Sequence, residues 1–147
     1  MRGVHGSSVS IARAAEIEAI IDAVTLWASG RPDVVGLLLV GSCARGAARP
    51  SSDVDFVLLS TRPYSAWDSD PAVGELTRTR SWGPITERRF VTSSGLEVEL
   101  NVGTPDWAAV TPVDPGTSRV VNDGTRVLHD PAGLLTMLLD ACRGAAP

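Results

Sequence analysis

The segment from Val34 to Leu59 constrains this chain most, because two apolar runs flank a glycine turn and the second run opens on two aspartates. Val34 to Val40 reads VVGLLLV, a short and nearly continuous run of branched side chains that predicts a strand covered by other elements. It ends at Gly41-Ser42, ten residues follow, and Asp53 to Leu59 (DVDFVLL) predicts a second strand. Side chains alternate along a strand, so Asp53 and Asp55 share one face while Val54 and Phe56 point to the other. Two like charges so close repel and raise each other's pKa unless something neutralises them. A divalent cation is the natural partner, and magnesium in particular takes one or two protein carboxylates and completes its octahedron with waters and phosphate oxygens.

The turn before the aspartates suits phosphate. Gly41 lets the backbone approach a ligand closely, and Ser42 with the following N–H groups at a helix start can hold a terminal phosphate. A third acid would complete such a site as metal ligand or as base. The run Leu96-Glu97-Val98-Glu99-Leu100 supplies two candidates on one strand face, with the three apolar residues on the other. Alternation does not separate Glu97 from Glu99.

Around this segment the pattern is mixed. Ser8 or Ser10 can cap a helix running to about Trp27, with Ile11, Ala14, Ile17, Ile20, Ile21 and Val24 at helical spacing and Gly30 and Pro32 as the stop. CARGAA reads as a short turn of helix, and Pro71 to Arg80 as a helix opened by proline. Ile85 to Thr92 and Leu96 to Val102 predict a hairpin across Ser93-Ser94-Gly95. A short helix from Thr104 to Val110, a last strand at TRVLHD and a helix from Pro131 to Arg143 complete the reading. There are no internal repeats.

Composition bounds the function. The 147 residues fit one domain, 1–147, and 44% hydrophobic with 20% charged residues is a globular balance. Net charge is -4, so no broad basic field favours nucleic acid or an anionic membrane. All 13 basic residues are arginines, so phosphate must be met by arginine, hydroxyls, backbone N–H groups or a metal. Arg45 is the arginine best placed to contact a triphosphate, whereas Arg49, Arg88 and Arg89 read as surface charges or carboxylate partners. Cys43 and Cys142 lie far apart with no CxxC pair, which indicates neither a zinc site nor a disulfide framework. MRGVHGSSVS has no signal-peptide core, and no stretch approaches the ~18 apolar residues of a membrane span. The expected location is cytoplasmic. His129 precedes Asp130 in an expected loop and no serine sits in GxSxG, which argues against a hydrolase triad.

The combination of apolar strand, Gly-Ser, ten residues, Asp-x-Asp and a later acidic strand resembles the nucleotidyltransferase superfamily of DNA polymerase beta. GSCARGAARPSSDVDF is especially similar to minimal and aminoglycoside-type nucleotidyltransferase domains. The resemblance covers 34–102 and implies an α+β (α/β) fold, a mixed sheet with helices on one face. It implies two Mg²⁺ ions and attack of an acceptor hydroxyl on the alpha-phosphate of an NTP, with AMP from ATP as the expected transferred group. By resemblance Gly41 and Ser42 contact the triphosphate, Asp53 and Asp55 hold metal, and Glu97 best matches the third carboxylate, with Glu99 as the alternative. The acceptor is a small molecule or a protein. Two other readings are open: an antitoxin-like partner of a helical HEPN-type toxin, and an inactive nucleotide-binding module.

Overall fold

The computed structural model describes residues 9–67 and 69–145. The first helix, α1 (Ile11–Ser29), is capped by Ser10, whose Oγ accepts from the Arg13 N–H at 3.0 Å; the other expected cap, Ser8, lies outside the described residues. Its Ile17, Ile20, Ile21, Val24 and Ala28 are buried. Strand β1 (Val34–Val40) follows, then a single helical turn, α2 (Gly41–Ala44), and strand β2 (Val54–Ser60). The turn begins at Gly41 itself, earlier than CARGAA implies.

The stretch expected to be helical from Pro71 is instead strand β3 (Glu75–Trp82). Alternating Thr77, Arg78, Thr79 and Arg80 favour an extended edge, paired on one side with β4 (Ile85–Val91) and exposed along all eight residues. Strand β5 (Glu97–Gly103) completes the expected hairpin, and a 3-10 turn at Pro105–Ala108 replaces the expected short helix. An additional helix, α3 (Pro115–Asn122), is capped by Asp114, whose Oδ2 accepts from the N–H groups of Gly116 and Thr117 at 2.9 and 3.2 Å. Strand β6 (Thr125–His129) and helix α4 (Leu134–Ala145) end the fold. Asp130 opens α4 by accepting from the N–H groups of Leu135 and Thr136, each at 2.9 Å.

Among the described residues, six strands lie in the order β3-β4-β5-β2-β1-β6. Every pairing is antiparallel except β2 with β5, so the sheet is mixed. Alternation divides its residues between two cores. Leu37, Leu39, Phe56, Leu58, Phe90, Val98 and Leu100 pack with α1 on one face. Leu38, Val57 and Leu59 pack on the other with Ala108, Val121 of α3, and Leu135, Leu138 and Cys142 of α4. Helices therefore cover both faces of the sheet, a correction to the expectation of one face. The physical reason is visible in β1 itself, where Leu37, Leu38 and Leu39 are all fully buried and each face needs a cover. Among the described residues no helix is long and apolar enough to cross a membrane.

Candidate functional site

Asp55 stands two positions before Val57 and so faces the side of the sheet that α4 covers further along the strand. Opposite it across the β1–β2 pair is Val40, the last residue before the turn at Gly41. Gly41 has φ +77, a left-handed conformation that disfavours a side chain, and a Cβ there would stand 3.0 Å from Asp55 Oδ2. The glycine thus does two things at once: it turns the chain and leaves the space that the aspartate carboxylate fills.

The third carboxylate comes from the parallel neighbour. In the β2–β5 register Asp55 lies beside Glu99, with Val54 beside Val98 and Phe56 beside Leu100. Carboxylate oxygens of Asp53, Asp55 and Glu99 all fall within 4.8 Å of one another. Glu97 shares their face but lies outside that group, with its side chain 48% exposed. Asn101, next along the same face, donates to Glu99 Oε1 at 3.1 Å and to the Phe56 carbonyl at 3.0 Å, which fixes the glutamate against β2.

A guanidinium sits among these acids. Arg89 of β4 lies opposite Glu99 in the hairpin, and its Nη1 donates to Asp53 Oδ2 and to Glu97 Oε1, each at 3.0 Å, while its Nη2 donates to Glu99 Oε2. Asp55 is not among its hydrogen-bond partners. Burial, then the charges of Glu99 and Asp53, push the Asp55 carboxyl up to about 7 against the pull of Arg89. This residue set fits a hard divalent cation. Three oxygen donors converge at one point, one of them is left short of positive charge, and a guanidinium is drawn into the same place.

The remaining expected residues are close but differently engaged. Ser42 donates to Ser52 Oγ at 3.0 Å, which in turn accepts from the Arg49 N–H at 2.8 Å, so the hydroxyls tie the two ends of the loop. Cys43 donates to the Asp53 carbonyl at 3.4 Å, and burial raises its thiol pKa. Arg45 donates to Asp123 Oδ2 at 3.1 Å and lies against Gly124, so it is bound to the turn after α3. Arg88 faces the opposite side from Arg89, where it pairs with Asp70 at 2.7 Å over the Tyr64 ring. Arg89 is a carboxylate partner, one of the two readings the sequence allowed it, but its place among these particular acids was not legible from its residue type. A hairpin turning at Ser93-Ser94-Gly95 places residues 89 and 99 opposite each other, and that register was the signal.

The site is thus a left-handed glycine turn beside three converging carboxylates, a donor set suited to a hard divalent cation. A family model described as "Nucleotidyltransferase domain" matches residues 22–105, more than half of the chain, and the chain belongs to that family. No curated protein sequence matches it. Among solved structures, one titled as a study of a cytoplasmic RNA terminal U-transferase is similar, with a TM-score of 0.43 and 17% sequence identity over 78% of this chain. The chain spans 39% of the length of that neighbour.

Proposed function

We propose that this protein is a Mg²⁺-dependent enzyme that transfers a nucleoside monophosphate, AMP from ATP, to a hydroxyl of a small molecule or protein. The convergence of Asp53, Asp55 and Glu99 within 4.8 Å, beside the turn at Gly41, carries the reading. In it Asp53 and Asp55 hold the metal. The third ligand role goes to Glu99 in preference to Glu97, because the parallel register sets Glu99 beside Asp55. Bound there, Mg²⁺ would neutralise the triphosphate and polarise the phosphorus under attack. Gly41 and Ser42 meet the triphosphate through the backbone and a hydroxyl, and Glu99 accepts the proton of the attacking hydroxyl.

The test is the Asp53→Asn, Asp55→Asn double variant. Removing two like charges from one sheet face should leave the melting temperature unchanged or raised, while Mg²⁺-dependent binding of ATP, read by calorimetry, disappears. Parental binding in that variant would refute the assignment. For the third acid, Glu99→Gln should lower metal affinity far more than Glu97→Gln.

A further inference from the structure

We propose, on the reading of the acidic group as a metal seat, that Arg89 is a built-in counter-ion which holds that seat in the metal-free protein and must leave it when a divalent cation binds. Arg89 now bonds two of the three carboxylates that a cation would need. Its Nη1 bonds Asp53 at 3.0 Å and its Nη2 bonds Glu99, two of the three members of the group. A guanidinium and a divalent cation drawn to the same carboxylates repel each other at that distance, so binding of one displaces the other.

The surroundings show how the exchange is arranged. Arg89 is rooted on β4 directly opposite Glu99, so its backbone stays fixed while its long side chain pivots. Its Nη1 also bonds Glu97 at 3.0 Å, an acid outside the group of three and 48% exposed at the outer side of the site. Glu97 is therefore the anchor that keeps Arg89 nearby once Asp53 and Glu99 turn to metal. Retreat in the other direction is closed, because Glu87, whose Oε2 is 3.9 Å from Arg89 Nε, already accepts from Arg78, Arg80 and Trp82. The Nε itself is buried without a hydrogen-bond partner, so the present seat does not satisfy the whole guanidinium. Arg89 thus neutralises the acids well enough to keep the metal-free sheet together, yet leaves a donor unmet that movement towards solvent would satisfy.

The experiment is Mn²⁺ binding to the full chain, followed by the electron paramagnetic resonance of free Mn²⁺, together with thermal denaturation in chelator and in Mn²⁺. Arg89→Met removes the charge and keeps the length. It should bind Mn²⁺ at least about tenfold more tightly than the parent, since a charge-assisted pair no longer has to be broken. In chelator it should melt below the parent, and Mn²⁺ should close the gap. Arg89→Lys keeps a charge without the fork that spans several carboxylates, so it should fold like the parent and bind with intermediate affinity. Arg80→Met removes an arginine of the same sheet face that bonds none of the three acids, and should change affinity less than about twofold. Unchanged or weaker Mn²⁺ binding in both Arg89 variants, or an equal gain in Arg80→Met, overturns the proposal while the metal seat stands. If Asp55→Asn binds Mn²⁺ like the parent, the seat is elsewhere and both readings fall.

Discussion

Gly41 and Glu87 show how single residues set the conditions of this site. Gly41→Ala would put a Cβ into a left-handed backbone and against Asp55 Oδ2. The backbone part alone should cost about 1–2 kcal/mol in a denaturant titration. Binding of Mn²⁺ should weaken as well, because the carboxylate must shift; parental values for both would mean that the turn relaxes freely. Glu87 is buried on the same sheet face, where burial would raise its pKa, but hydrogen bonds from Arg78, Trp82 and Arg80 outweigh that and bring it to about 2, from the usual 4.5. A carboxyl with a lowered folded pKa contributes stability that is present above 4.5 and is lost as pH falls through about 2. Denaturation midpoints of the parent should therefore drop across that window, and those of Glu87→Gln should drop less. Equal slopes would count against this account of Glu87.

Elements differ in how far the sequence exposed them. Strands β1, β2, β4 and β5 were legible because burial writes apolar runs or alternation into them, and α1 and α4 because their apolar residues recur at helical spacing. Strand β3 was not, since all eight of its residues are exposed and nothing in burial marks its period. Helix α3 was not expected, since proline and glycine open it and the capping Asp114 is what starts it. Within the site, the two aspartates and the glycine turn were legible from spacing, whereas the preference for Glu99 over Glu97 needed the pairing of β5 with β2, a contact between strands distant in sequence. Helix α4 offers the element-scale test. Leu135 is fully buried and lies over Gly36 of β1, where a Cβ would come within 3.0 Å of its Cδ1. Leu135→Ala should cost about 2–5 kcal/mol in chemical denaturation through the cavity it leaves. Metal binding by the folded fraction should persist, because Asp55 and Glu99 stand on strands and Asp53 directly precedes one; its loss would show that α4 shapes the site directly.

For the molecule as a whole, the sheet is the wall shared by two cores. Because Leu37 and Leu39 belong to one core and Leu38 to the other, neither can melt while β1 stays intact for its partner. Equilibrium unfolding should be one transition, with circular dichroism and tryptophan fluorescence coinciding. The fluorescence reports both sides, since Trp27 and Trp67 pack at the first core and Trp107 at the second. Two separated midpoints would mean that the cores are independent. The single parallel pair also has a consequence in time. β2 and β5 cannot meet through a tight turn, and the chain between them carries β3 and β4. Asp55 and Glu99 thus share a non-local pairing, exceeded in sequence distance by that of β1 with β6, and the loop-closure entropy of such a pairing must be met before contacts repay it. Because Phe56 and Leu58 of β2 and Val98 and Leu100 of β5 belong to the first core, one pairing closes that core and brings the acids together.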